Sequence, residues 1–160
     1  MWNKTSPGQG SLYKSQHELV FLFKNGRAPH INNVELGRHG RNRSNIWLYA
    51  GANSFRKDRL KELSLHPTIK PTAMISDALK DVSRRGDIVL DPFGGSGSTL
   101  LAAERVGRRA RVMELDPQFV DVTVRRWQDF TRRDAILRAT GQTFDEVVRG
   151  RGSNSKRGRK

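Results

Sequence analysis

The chain has 160 residues and a mass of 18.1 kDa, which is room for one domain with a modest hydrophobic core. Thirty Lys and Arg against sixteen Asp and Glu give a formal charge of +14, so polyanions are the first partners to consider, although a soluble protein with a basic tail carries the same charge. With no cysteine, structural disulfides, cysteine-based zinc sites and thiol nucleophiles are excluded.

Residues 1–15 are rich in Gly, Ser, Asn and Pro and read as a loop. His17 to Lys24 is a continuous apolar run before Asn25-Gly26, which predicts a buried strand and a tight turn. From Ala28 to Leu63 periodicity is weak, with a short strand over Asn45 to Tyr49. Ile75, Leu79 and Val82 then recur at helical spacing up to Arg85, and Gly86 is the expected stop. Asp87 to Leu90 reads as a short buried strand, Ser98 to Val106 as a helix capped by Gly107, and Arg111 to Leu115 as a second strand. Pro117 opens a helix whose Val120, Val124 and Trp127 share a face, with Asp116 as its cap. A polar helix follows from about Arg132 to Val148, and the basic end from Arg149 is expected to be disordered. Strand and helix alternating from 87 to 133 imply a parallel sheet flanked by helices, with a right-handed crossover. No apolar run is long enough for a membrane span and the start has no signal-peptide core, so a cytoplasmic setting is the default.

The chemistry concentrates in Asp91-Pro92-Phe93-Gly94-Gly95-Ser96-Gly97-Ser98-Thr99, between a predicted strand and a predicted helix, where nucleotide-type ligands bind in open α/β sheets. Glycines admit close backbone approach and a helix start offers free N–H groups. A triphosphate loop would need a Gly-Lys-Ser/Thr, which is missing, and the dinucleotide spacing is not met. Adenosylmethionine, without phosphates, is the third candidate. Glu114, about twenty residues on, stands where an acid accepts ribose hydroxyls. Nicotinamide and methionine cofactors both use such an acid, so Glu114 alone does not separate them. His39 has no second suitably spaced metal-type residue and reads as a solvated loop residue, so no metal is expected.

The loop DPFGGSGST followed by MELDP, and the upstream His66-Pro67-Thr68-Ile69-Lys70-Pro71, resemble motifs of DNA amino-methyltransferases of the adenine-N6 and cytosine-N4 kind. Their order resembles the permuted branch, in which the catalytic segment precedes the cofactor segment. Trp2-Asn3-Lys4 and the segment Ser11 to Glu18 resemble that branch just downstream of its catalytic motif. The resemblance implies an α/β, Rossmann-like fold dependent on S-adenosylmethionine, here with an incomplete parallel sheet and an antiparallel hairpin. It places His66, Thr68, Lys70, Pro71, Asp91 to Ser98 and Glu114 around the cofactor. It also sets Arg38, Arg41, Arg43, Arg56 and Lys57, with interspersed aromatics, on the side of double-stranded DNA. A solvated loop anchored by Trp47 and Tyr49 would show the same residues.

One departure is decisive for the expectation. The family's Asp/Asn-Pro-Pro-aromatic motif, which holds the amine of a flipped base, has no counterpart, since no Pro-Pro occurs. The lack of cysteine excludes the cytosine-C5 mechanism as well. The expected organisation is a partial methyltransferase domain over 1–133 (hairpin region 1–27, DNA-side loop 28–65, cofactor segment 66–133), a polar helix 134–148 and a tail 149–160. Expected of the chain is a site-specific methyltransferase of a bacterial or phage restriction-modification type, inactive alone, with a complementary fragment as partner. A noncatalytic DNA-binding remnant and one subunit of a split enzyme are the alternatives, and an unrelated nucleotide-binding module is the third.

Overall fold

The computed structural model describes residues 1–38, 40, 42–51 and 69–157, with side chains as far as Arg151. Strands β1 (Trp2–Lys4), β2 (His17–Glu18) and β3 (Trp47–Tyr49) form one sheet in the order β2-β1-β3. β1 meets β2 antiparallel, with Trp2 opposite Glu18, and meets β3 parallel, with Trp2 opposite Trp47. Helix α1 (Thr72–Val82) leads to β4 (Ile88–Asp91), α2 (Ser98–Val106), β5 (Arg109–Val112), α3 (Pro117–Thr131) and α4 (Phe144–Arg157). β4 and β5 pair in parallel with Ile88 opposite Arg109, and α2 is the crossover between them. Among the described residues no ladder joins the two sheets. The fold is thus the expected α/β type, with an incomplete parallel sheet and an antiparallel pair.

The core is centred on α2. Its Leu101, Ala102, Ala103 and Val106 are buried, as are Met74 of α1 and Ile69 before it. α2 packs on α1, α3 and β5, and its two alanines let these elements approach closely. The N-terminal sheet is fastened to α1 by side chains. Tyr49 donates its hydroxyl to Asp77 at 2.7 Å. Asn33 Nδ2 donates to the carbonyls of Lys80 and Ser83, each at 2.8 Å, satisfying acceptors that a helix end leaves over.

Several elements differ from the sequence reading. The strand expected over His17 to Lys24 is only His17–Glu18, and Phe23 is 86% exposed. An apolar run forms a buried strand only when something covers it, and no element of the described residues does so here. α1 ends at Val82, not Arg85, because Ser83 turns extended and its carbonyl accepts Arg108 Nη2 at 2.6 Å. β4 was expected to be buried; Val89 and Asp91 are half-buried, while Ile88 and Leu90 stay exposed on the other face. The second strand is Arg109–Val112, starting two residues early and ending three early, and it ends there because the Met113 carbonyl leaves the ladder to accept Gly94 N–H at 2.9 Å.

The last helix also moves. Arg132 (φ 59°) closes α3, and an antiparallel bridge of Ile136 with Thr143 brackets a turn before α4. Thr143 and Glu146 then form a capping box, Thr143 N–H donating to Glu146 at 2.7 Å and Glu146 N–H to Thr143 Oγ1 at 3.3 Å. Acidic Asp145 and Glu146 suit the positive helix start. The helix therefore starts at Phe144, not near Arg132, and its backbone runs through Arg157 where a disordered tail was expected from Arg149.

Candidate functional site

The glycine loop leaves the end of β4 and enters α2. Asp91 begins it, its Oδ1 accepting Phe93 N–H at 3.0 Å. Gly94 lies so close to β5 that a Cβ there would come within 2.2 Å of Val112 Cγ1. Gly97 has φ 81° at the start of α2, a left-handed conformation that suits glycine, and a Cβ there would sit 2.6 Å from Thr123 Cγ2.

Two residues of α3 hold this loop and were not singled out from sequence. Thr123 Oγ1 donates to the Gly95 carbonyl at 3.0 Å, and Arg126 Nη1 donates to Ser96 Oγ at 3.0 Å. They stand three apart in a helix, hence on one face. That spacing is the signal in the sequence, on a face bordering the apolar stripe of Val120, Val124 and Trp127.

Glu114 sits just past β5, where its carboxylate is aimed by backbone amides. Gly95 N–H donates to Oε2 at 2.6 Å and Asp116 N–H to Oε1 at 3.0 Å. Asp116 itself caps α3, accepting Gln118 N–H at 2.8 Å. A cavity of about 340 Å³ is lined by Asp91, Phe93, Gly94, Gly95, Ser96, Ser98, Thr99 and Glu114, together with Lys70 and Ile75. Its size suits a small organic ligand. Ser98 Oγ is buried in this wall without a protein partner.

Lys70 is thus brought against the glycine loop from a segment some twenty residues upstream. Pro71 precedes the first turn of α1 without capping it by a side-chain bond, and neither it nor Pro92 and Gly97 of the loop lines the cavity. His66 and Thr68 lie outside the described residues, as do His39, Phe55, Arg59 and Lys61.

The basic residues separate into kinds. Arg38 is exposed, 3.8 Å from Glu35. Arg43 is engaged inward, 3.2 Å from Asp81 on α1 and 6.0 Å from the Trp47 ring. Arg41, Arg56 and Lys57 lie outside the described residues. Burial raises the Asp81 carboxyl above its ordinary value despite the Arg43 charge beside it. Among the described residues no group of His, Asp and Glu has the makings of a metal site, and no helix is long and apolar enough to cross a membrane.

A family profile described as DNA methylase matches residues 1–125. The type II methyltransferase M2.MboI of Moraxella bovis is 26% identical over 137 residues, covering 81% of this chain and 49% of that protein. The type II methyltransferase M2.DpnII of Streptococcus pneumoniae is 28% identical over 133 residues, covering 78% of this chain and 48% of that protein. The chain spans about half the length of these curated relatives. Among solved structures, the M1.HpyAVI–SAM complex is similar with a TM-score of 0.50 and 25% identity, over 63% of this chain and 45% of that one.

Proposed function

Because the chain belongs to the DNA methylase family, we propose that its glycine-loop cavity binds S-adenosylmethionine for methyl transfer to an exocyclic amine of adenine or cytosine in double-stranded DNA. The observation that carries this reading is the shared lining of one cavity by Lys70, the glycine loop and Glu114. A further support is the M1.HpyAVI complex with the same cofactor. The residues fit the group chemically. Glu114, with both oxygens already oriented, has acceptor capacity left for ribose hydroxyls. The close approach of Gly94 to β5 keeps the cavity floor free of side chain.

When bound, the cofactor supplies an electrophilic methyl group on a sulfonium. Thr123 and Arg126 hold the loop in place through Gly95 and Ser96, so that the site is formed before binding. Exposed Arg38 and the overall charge of +14 suit a phosphate backbone. The groups that would hold the target amine are not supplied by these 160 residues, which contain no Pro-Pro. Transfer therefore requires an additional segment bearing the Asp/Asn-Pro-Pro-aromatic motif. The same observation favours the second reading, a DNA-binding remnant that retains the cofactor cavity without turnover.

Calorimetric titration tests the cofactor assignment. Glu114→Ala should weaken S-adenosylmethionine binding by about ten- to a hundredfold, the worth of a lost charged acceptor. Equal affinities in the two proteins would refute the role of Glu114, and tighter binding of NAD would refute the ligand.

A further inference from the structure

Lys70 does not stand alone at the cavity wall. Its Nζ lies 3.0 Å from Glu18 Oε2 and 5.8 Å from the centre of the Trp2 ring. The other oxygen of the same carboxylate meets Lys4 Nζ at 2.8 Å, and that ammonium lies 5.3 Å from the same ring. Trp2 is 3% exposed, and its indole N–H donates to the Tyr49 carbonyl at 2.9 Å, which fixes the ring beneath both cations. Residues from β1 and β2 thus converge on the ammonium of a residue that lines the cavity.

The charges give the cluster a direction. Glu18 alone would neutralise Lys70, but with Lys4 on its second oxygen the trio keeps one net positive charge. Among the described residues lining the cavity, Lys70 is the cation, and Asp91 and Glu114 are the acids. S-adenosylmethionine has the inverse set: one carboxylate against an ammonium and a sulfonium. Its carboxylate is the one anionic group of the ligand, and so the strongest partner for an ammonium.

Resting on the cofactor reading above, we infer that Glu18 is a positioning residue that holds Lys70 for the carboxylate of the cofactor's amino-acid portion, while Lys4 keeps the cluster positive. The N-terminal sheet thereby takes part in cofactor recognition, although it contributes no cavity-lining residue itself. A lysine side chain pre-ordered in this way loses less freedom when the ligand arrives. Glu18 remains ionised because the hydrogen bonds and charges of the two lysines outweigh its partial burial, which alone would raise its carboxyl.

The test compares two ligands on the full chain by calorimetry: S-adenosylhomocysteine, which keeps the amino-acid portion, and 5′-methylthioadenosine, which lacks it. Glu18→Gln should weaken the first by about three- to tenfold, the worth of ordering one long side chain. It should leave the second within about twofold. Lys4→Met keeps the Glu18–Lys70 pair and should weaken only the first ligand, by about two- to fivefold. It decides the matter if the Glu18 variant melts early. Parallel losses for both ligands would make the cluster a mere strut and overturn the inference, as would unchanged S-adenosylhomocysteine binding. If the unsubstituted chain bound neither ligand, the cofactor reading would fall and this inference with it; a failure confined to the variants leaves that reading standing.

Discussion

Residues 69–131 are fixed by helix caps and by bonds made within that same segment, whereas residues 1–51 rest on strands of two or three residues. The glycine loop is held by β5, by Glu114 and by two side chains of α3. The N-terminal region depends on reaches across the molecule, Tyr49 to Asp77, Arg43 to Asp81 and Glu18 to Lys70. It also leaves Phe21 and Phe23 stacked on each other in solvent, their ring centres 6.3 Å apart. A segment whose contacts close on itself supports itself. One tied to another segment by a few polar side chains holds only as well as those contacts do.

The sharpest way to break this contrast is enzymatic. On the reading proposed above, the cofactor side is assembled while the sequence has no Pro-Pro-aromatic motif to orient a target amine, and correct orientation is worth about 7–11 kcal/mol of a barrier. Transfer of tritiated methyl groups from S-adenosylmethionine to unmethylated DNA should be undetectable with these 160 residues. It should appear on adding a fragment from a relative that bears the missing motif. Robust methylation by the chain alone would show that the catalytic groups lie among the residues described above.

A smaller effect is expected from within the loop. Gly97→Ala sets a Cβ against Thr123 at a left-handed backbone position. The conformation costs about 1–2 kcal/mol and the overlap about 1–3 kcal/mol, so urea unfolding should show a loss of about 2–5 kcal/mol. Adding Thr123→Ala should recover the steric share and leave the conformational one. Hydrogen exchange should quicken in 87–131 and stay unchanged at Trp2–Lys4 and Trp47–Tyr49. Uniform loosening of both regions would mean that they unfold as one unit.

The same contrast explains what could be read in advance. Helix α2 was legible to the residue because its limits are local, with Gly97 and Gly107 in left-handed conformations at its two ends. The start of α3 was legible for a like reason, Asp116 capping and Pro117 opening it. The resemblance of the loop and of Lys70 to known motifs anticipated the two sides of the cavity. Unreadable were the features fixed by distant partners. Leu19 to Phe23 has the composition of a buried strand, and only the absence of cover in the described fold shows otherwise. The Glu18 cluster joins residues some fifty positions apart, a link that no spacing encodes. The Thr143–Glu146 capping box is local and legible as a Thr-x-x-Glu pattern, and it marks the helix start that periodicity alone places too early.

Acid should separate the two regions most gently, and with a sign that can be worked out. Burial tends to raise both Glu18 and Asp77, but the bonds from Lys4 and Lys70 to the first, and from Tyr49 and Lys80 to the second, carry both below their ordinary 4.5 and 3.8. The folded chain therefore keeps them ionised at a pH where the unfolded chain has taken up protons. Their stabilisation is fully present above those ordinary values and is lost as pH falls through the lower folded ones. Asp81 opposes them: raised by burial, it binds a proton more readily in the folded state and returns part of the stability on acidification. The net should be a modest decline below about pH 4.5, since surface pairs of this kind contribute only about 0–1 kcal/mol each. Hydrogen exchange along an acid series should show protection falling first at Trp2–Lys4 and Trp47–Tyr49, the strands these carboxylates fasten. Glu18→Gln with Asp77→Asn should flatten that decline, because the substituted groups no longer titrate. A decline that begins instead in α2 and β5, or that survives both substitutions, would show that the N-terminal sheet is held by something other than these charges.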